Sequence, residues 1–262
     1  MSVGEMVRRD ALVGAIGVVL AAGCVAAQSR PASLLVPGAL DPARATTWEL
    51  PANLREISGL AVVDGRLFAH NDERARIHEL DPVGRRVVKS FTVGSRQGIK
   101  GDFEGIAAGE GRLFLVTSDG VIHEFEEGAD GSQVPFHRTE TGLGARCEIE
   151  GLAYQPEGRL LLLACKQMRP REARGSVVVL RWSIARRAVV DPPLRAPLPA
   201  TATAFSASGI DRDPGSGNLL LVASQDGLIA ELDDAGRLLA VQPLPRRAHR
   251  QPEGVAAHHL TD

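Results

Sequence analysis

The chain has 262 residues, of which 44 % are hydrophobic and 24 % are charged, a composition typical of a globular protein. Its formal net charge is −2, so it lacks the basic excess that marks nucleic-acid-binding domains. This length fits one large all-β domain or two small ones.

The first predicted element is an export signal over residues 1–27. Arg8 and Arg9 precede an apolar run, "ALVGAIGVVLAAG" (Ala11–Gly23), which ends in small residues. A charged start, an apolar middle and a small-residue end are the parts of a secretory signal. The two arginines also resemble a twin-arginine signal, which would export the chain in a folded state. We therefore expect a periplasmic protein, or one held at the bacterial envelope by a lipid.

Two processing sites fit this signal. The sequence "LAAGC" (Leu20–Cys24) resembles a lipoprotein box, in which Cys24 would be lipidated and become the new N-terminus. Ala21 stands where such boxes usually carry leucine. The sequence "VAA" (Val25–Ala27) instead allows ordinary cleavage before Gln28. Both alternatives imply export, and they differ in whether the chain carries a lipid.

Residues 28–46 form a predicted linker. They are rich in proline, alanine and serine and show no steady hydrophobic period. Such sequences are typical of tethers that lack secondary structure. The folded domain is therefore expected to span residues 47–262.

One short motif recurs through the predicted domain. Its copies are spaced by about 45 residues apart from one longer gap, and they begin at Glu56 ("EISGL"), Asp102 ("DFEGIA"), Glu148 ("EIEGLA"), Ser206 ("SASGI") and Gln251 ("QPEGVA"). In the complete units a turn such as "GEG" follows, then an apolar strand such as "RLFLVT" and a third strand such as "VIHEF". A fixed period of this size indicates a repeat architecture.

The repeat unit predicts an all-β fold, a β-propeller. Units of three or four antiparallel strands at this spacing are propeller blades. Each motif carries a glycine, which would let strands approach closely at the axis because it has no Cβ: Gly59, Gly105, Gly151, Gly209 and Gly254. Few residues follow the fifth motif, so we predict five blade-like repeats with the last one incomplete. The regular spacing disfavours a β-sandwich.

Taken together, the five motifs resemble those of the SdiA-regulated family of bacterial exported β-propellers. The resemblance covers roughly Trp48 to the C-terminus, with one motif per blade. It implies a shape related to phytase-like and strictosidine-synthase-like propellers, several of which bind calcium or another divalent ion in the central channel. The chain departs from the family pattern because the strands after "QPEGVA" are missing, and the resemblance implies no particular activity.

Polar residues of the motifs are expected to meet at one mouth of the central channel. In a propeller, the starts of the first strands and the ends of the second strands lie at the same end of the sheets. Polar residues at the strand starts are two apart, so both members of a pair face the same side. The predicted channel-mouth residues are Glu56, Ser58, Asp102, Glu148, Ser208, His70, Asn71 and Lys166.

The acidic residues at this mouth are candidate metal ligands. Several carboxylates at one narrow opening repel each other and must take up protons, pair with cations or bind a metal. Oxygen ligands suit Ca²⁺ or Mg²⁺, and the candidates are Glu104, Glu150 and Glu253, with Asp72 and Asp119 behind them. The alternative is structural: Glu104 and Glu150 bond backbone N–H groups of the adjacent blade, or pair with Lys100, Arg146 and Lys166.

Two cysteines flank a predicted hairpin near its open end. Export would place Cys147 and Cys165 in an oxidising compartment, where a cross-strand disulfide requires close Cα atoms. The alternative is a pair of small buried hydrophobic residues.

The predicted function is that of a non-catalytic scaffold that binds a small ligand or an envelope protein at the channel mouth, with Ca²⁺ as its candidate ion. The alternative is a metal-dependent hydrolase of a phosphoester or lactone, in which the ion would orient the substrate and activate water. A phosphate-binding site of the phytase type would be expected to add a cluster of lysines and arginines. The predicted mouth offers mainly Lys166, Lys100 and Arg146.

Further enzyme classes have little support in the sequence. A G-x-S-x-G nucleophile motif is missing, and the seven histidines lack zinc-ligand spacing. No catalytic residue is therefore predicted. We expect a monomer without a nucleic-acid partner, which contacts the membrane only through an N-terminal lipid.

Overall fold

The computed structural model describes residues 33–257 apart from 55, 170–174, 246 and 250, together with the strand backbone of residues 11–14 and 17–20. Helical structure in these residues consists of 3-10 turns at Pro42–Arg44, Ala52–Leu54 and Leu143–Ala145. No helix of the described chain is long and apolar enough to cross a membrane.

Three strands precede the repeats. β1 (Ala11–Gly14) and β2 (Gly17–Leu20) form an antiparallel hairpin, and β3 (Ala45–Thr46) pairs with β1 in parallel. The hairpin lies within the predicted export signal, so its pairing belongs to the chain before any processing. Cys24 lies outside the described residues, and its lipidation stays a prediction.

Blades 1 and 2 follow the predicted strand order, except that a short strand from the chain of blade 2 pairs with the edge of blade 1. Blade 1 is an antiparallel sheet of β4 (Ile57–Val63), β5 (Arg66–Asn71), β6 (Arg76–Asp81) and β7 (Arg86–Val93). Blade 2 begins with β8 (Phe103–Gly109), β9 (Arg112–Thr117) and β10 (Val121–Phe125). The chain then adds β11 (Gln133–Val134) to the outer edge of β7 in parallel, before β12 (Phe136–Glu140) completes blade 2.

Blades 3 and 4 are also antiparallel. Blade 3 contains β13 (Cys147–Gln155), β14 (Leu160–Met168) and β15 (Ser176–Ser183), and two short strands share the outer edge of β15: β16 (Ala188–Val189) and β17 (Leu194–Pro197). Blade 4 contains β18 (Gly209–Arg212), β19 (Leu219–Ala223), β20 (Leu228–Leu232) and β21 (Leu238–Pro243).

The hydrophobic core lies between neighbouring blades. Phe68 and Phe91 of blade 1 meet Phe103 and Phe125 of blade 2, and all four side chains are buried. The second strand of a blade is covered on both faces, which explains why β19 reads as the continuous apolar run "LLLVA" and is buried throughout. The repeat therefore needs stacked neighbours to bury its apolar side chains.

The last described strand, β22 (Gly254–Ala257), is the fifth inner strand around the axis. The sheet that it begins is not built from the strands of a further repeat. Its sheet continues with β2, β1 and β3, and β22 pairs with β2 in parallel. The described chain thus shows a propeller arrangement of four blades, and the prediction of five repeats with an incomplete last one is not confirmed.

The motif glycines form a closed ring around the axis. A Cβ built on Gly59 would lie 3.3 Å from the Cα of Gly105, and one on Gly105 would lie 2.9 Å from the Cα of Gly151. The corresponding distance is 3.1 Å from Gly151 to Gly209 and 3.2 Å from Gly209 to Gly254, and a Cβ on Gly254 would lie 3.3 Å from the carbonyl carbon of Gly59. The first strands therefore approach one another more closely than side chains at these positions would allow.

Two features lie outside the repeat pattern. Cys147 and Cys165 form a disulfide between β13 and β14, with 5.8 Å between their Cα atoms, so the alternative of two separate buried thiols is not adopted. Residues 33–40, called the strap below, belong to the predicted linker but contact blade 4 through the buried Leu35.

Candidate functional site

A small cavity lies on the axis, enclosed by the first strands of the blades and by β22. Its polar lining side chains are those of Ser58 and Glu104, and the rest of the lining consists of the ring glycines and apolar residues. The space accommodates about one water molecule. A ligand of larger size would have to bind at the opening of the channel rather than inside it.

Irregular strand pairing directs the motif residues toward this opening. The register between the first and second strands shifts in blades 1 to 3 at the same motif position, next to Ser58, Glu104 and Glu150. Such bulges re-aim a side chain and recur beside functional sites. Simple strand alternation did not reveal them, although the glycine that follows each of these residues is a sequence signal for a bulge.

Glu104 is the most strongly perturbed carboxyl group at the opening. Burial, followed by repulsion from Glu150 and Asp102, raises its pKa from 4.5 to about 8. A hydrogen bond with Asp102 acts in the same direction, and Lys166 only partly opposes these effects. Glu104 is therefore mostly protonated at neutral pH.

Lys166 pairs with the acids of its own blade. Its Nζ lies 2.6 Å from Glu150 Oε1 and 3.3 Å from Glu148 Oε1, and Arg169 lies 3.7 Å from Glu148. Burial nevertheless raises the pKa of Glu150 despite the bond to Lys166. One of the predicted structural pairings is thus present, whereas Arg146 binds Asp191 instead.

Glu253, which directly precedes β22, lies near the same carboxyl groups. Burial, together with repulsion from Glu150 and Asp72, raises its pKa, and a 2.8 Å hydrogen bond from Gln251 partly opposes this rise. The structure therefore brings Glu104, Glu150 and Glu253 into one electrostatic group, with Asp102 and Asp72 at its edge. This set is called the acidic group below.

The remaining predicted mouth residues have other roles. Ser208 donates a hydrogen bond to the carbonyl of Pro252 over 2.7 Å. Asn71 Oδ1 bonds His78 Nε2 over 2.9 Å, and Glu56 is exposed. Ser208 thus links blade 4 to the segment before β22, Asn71 bonds within blade 1, and Glu56 faces solvent. None of them contributes a charge to the acidic group.

His70 and Asp119 differ most from their predicted positions. His70 is fully buried rather than exposed at the mouth, because its imidazole fills the space that Gly59 leaves open opposite it. Burial lowers its pKa to about 4, so it stays neutral at neutral pH. Asp119 lies in the turn after β9, where it accepts a hydrogen bond from Thr117, and it is not part of the acidic group.

The predicted metal ligands do not form a preformed cluster. Across the part of the chain that the structure describes, no set of three or more His, Cys, Asp or Glu side chains is placed to hold a metal ion. Among the described residues, the acidic group is thus a set of neighbouring carboxyl groups rather than a preformed ion site.

Comparison with protein-family models and with curated proteins gives no match. Among solved structures, the chain is similar to a Myxococcus xanthus glutaminyl cyclase, with 16% identity, a TM-score of 0.48, and coverage of 71% of this chain and 69% of that one. A streptogramin B lyase is similar over 72% of this chain and 69% of its own, with 14% identity and a TM-score of 0.43. Kuenenia stuttgartiensis hydrazine synthase gives 13% identity and a TM-score of 0.44 over 74% of this chain, which spans 51% of that protein's chain.

These similarities are low. All three TM-scores lie below 0.5, so they carry no argument about activity. The strand pairing of this chain and its glycine ring define the propeller arrangement.

Replacing Glu104 with glutamine is expected to stabilise the fold at alkaline pH. Because the pKa of Glu104 rises from 4.5 to about 8 on folding, wild-type stability falls as pH rises between these values. The variant escapes this loss, so above pH 8 it should be more stable by about 1 kcal/mol, a value reduced for screening at a partly exposed site. Urea unfolding below pH 4.5 and above pH 8 measures the difference.

The matched control is Asp234→Asn, which removes an exposed carboxyl group in the turn after β20, outside the acidic group. Its stability should follow the wild type at both pH values. An equal alkaline gain in both variants would show that net charge, rather than the acidic group, causes the effect.

Proposed function

We propose that the protein is a non-catalytic binding scaffold that captures a small cation at its channel mouth, with Ca²⁺ as the first candidate. The observation that carries this proposal is the position of Glu104. It faces Glu150 and Asp102, and in the described chain no lysine or arginine lies within ion-pair distance of it. A cation that reaches this position would relieve the repulsion and replace the proton that Glu104 holds.

The charge distribution disfavours the phosphoester form of the hydrolase alternative. Lys166 is already bound by Glu148 and Glu150, so a phosphate at the opening would meet carboxylates before it met a free cation. A phosphoester substrate would need further lysines or arginines at the opening to bind its phosphate. The binding scaffold is therefore the better-supported function.

Sequence features extend the proposal to the protein's location and relationships. The charged and apolar N-terminal run supports export, and the five motifs support a relationship to the SdiA-regulated propellers. In this proposal the scaffold works in the periplasm or on a lipid anchor, and an envelope protein would be a partner at the same mouth.

Calcium chloride is expected to stabilise the wild-type protein. A ligand at 100 times its Kd stabilises the folded state by about 2.7 kcal/mol, which thermal unfolding detects as a higher Tm, reversed by chelator. Calorimetric titration in buffers of different ionisation enthalpy should also reveal proton release at neutral pH, because the cation displaces the proton of Glu104. Magnesium and ethylammonium chlorides, tested separately, distinguish a calcium site from a general cation site.

Two variants make this experiment decisive. Glu104→Gln should lose the Tm gain and the proton release, whereas Glu56→Gln, at an exposed residue outside the acidic group, should behave as the wild type. Cation binding that is unchanged in Glu104→Gln, or the lack of binding by any of the three cations, would refute the proposed function.

A further inference from the structure

The strap is held by a buried carboxylate on blade 4. Glu231, on β20, is fully buried. Its side chain accepts hydrogen bonds from the strap's backbone and hydroxyl and from one blade residue: Leu34 N at 2.9 Å, Leu35 N at 3.2 Å, Ser33 Oγ at 2.5 Å and Asn218 Nδ2 at 2.6 Å. One side chain thus satisfies two consecutive backbone N–H groups and a serine hydroxyl.

An apolar pocket beside Glu231 holds the leucine of the strap. Leu35 is 3% exposed and packs against side chains of blade 4, its following loop and β22: Leu220, Val222, Ile229, Leu244 and Val255. The carbonyl of Leu35 accepts a 2.6 Å hydrogen bond from Gln242 on β21. Blade 4 and its neighbouring residues therefore contact the backbone, the serine hydroxyl and the leucine side chain of one short segment.

The contact has the character of peptide recognition rather than of sheet continuation. The strap has bends and turns but no strand, so side chains of blade 4 replace the ladder hydrogen bonds of a sheet. In the described chain no lysine or arginine pairs with Glu231, and its hydrogen bonds come from uncharged N–H and O–H groups. A buried carboxylate without such donors is costly, so this site requires an occupant with this donor pattern.

We propose that this face of blade 4 is a peptide-binding groove for a short segment in which serine is followed two residues later by leucine. The strap occupies the groove in cis through Ser33 and Leu35. The groove lies on the blade 4 side chains that face β22, apart from the acidic group, so the proposal does not depend on cation binding.

Hydrogen exchange on the full-length chain tests the anchoring. In the wild type, the amides of Leu34 and Leu35 should be protected because both donate to Glu231. In Glu231→Gln the protection of these two amides should fall at least tenfold, while the amides of blades 1 to 3 keep theirs. Unprotected amides in the wild type, or unchanged protection in the variant, would overturn the proposal.

Peptide binding tests recognition in trans. The probe is a fluorescein-labelled peptide with the sequence of residues 32–39, "ASLLVPGA". The full-length Leu35→Asp variant, whose own strap should leave the pocket, is expected to bind it in a saturable manner, whereas the wild type should not. Adding Glu231→Gln to this variant should weaken binding at least tenfold, and a peptide with alanine in place of serine should bind several-fold more weakly.

Val83→Asp is the matched control, since it places the same charge at a position that is 77% exposed. It should behave as the wild type. If the Leu35→Asp chain keeps its circular dichroism spectrum yet fails to bind, or if it binds equally with and without Glu231, the groove does not recognise this segment. If that chain fails to fold, the exchange experiment alone decides.

Discussion

Replacing Gly105 with alanine is expected to destabilise the propeller by about 3 kcal/mol, at the upper end of the usual cost of overpacking. The new Cβ would lie 2.5 Å from the backbone nitrogen of Leu152 and 2.7 Å from the carbonyl carbon of Gly151. Both are backbone atoms of the next first strand, so no side-chain rotation can relieve the clash. Urea unfolding of the variant and the wild type measures the loss.

Two further glycine variants separate crowding from backbone conformation. Gly111→Ala adds a Cβ in an open turn at φ +73°, with nothing within 4 Å, and should cost only about 1 kcal/mol. Gly209→Ala meets Val222 Cγ2 at 3.1 Å and backbone atoms of Glu253 and Gly254 at 3.2 Å. A shift of a few tenths of an ångström would relieve these contacts, so the loss should lie between the other two. Equal losses at Gly105 and Gly111 would mean that the ring is not closely packed in solution.

The double variant Cys147→Ala/Cys165→Ala is expected to lose about 3 kcal/mol of unfolding free energy. The bond joins residues 18 apart, and a cross-link of this span removes roughly this much free energy of loop closure from the unfolded chain. Both cysteines are buried, so small cavities add to the loss. Thermal and urea unfolding under oxidising conditions measure it.

Reductant supplies the control for the disulfide. Reducing the wild type should lower its stability toward that of the double variant, whereas the variant itself should not respond. A wild type whose stability is insensitive to full reduction would contradict the predicted contribution of this bond.

The repeat could be predicted because its signals are local. Glycine at the motif position, the hairpin turns and the apolar second strand each depend on residues close in sequence. The placement of β11 depends instead on a free edge of blade 1 that lies about 40 residues away in the chain, with Gln133 opposite Thr92. The residues around Gln133 do not indicate that β11 pairs with blade 1 rather than with blade 2.

The candidate site was predictable in outline but not in detail. Circular repetition alone brings Glu104, Glu150 and Glu253 to one opening, because equivalent positions of stacked units meet at the axis. The pairing of Lys166 with Glu150 and the burial of His70 depend on bulges that shift the strand register by a residue. Strand alternation without those bulges cannot place either side chain.

The sequence did not predict the contact of the strap with blade 4, for a related reason. A Pro- and Ala-rich segment without hydrophobic period is typical of a linker, and Ser33 to Leu35 carry no signal of the acceptor that holds them. That acceptor, Glu231, lies 196 residues beyond Leu35 in the chain. Only the folded blade 4 brings the two together.

The exchange of β11 has a consequence for cooperativity. Because the loop between β10 and β12 completes the edge of blade 1, neither of the first two blades can open without disturbing the other. An ion pair of 2.6 Å between Arg66 on β5 and Glu127, just after β10, adds a second link. The first half of the molecule should therefore open as one unit of partial unfolding, twice the size of the sequence repeat.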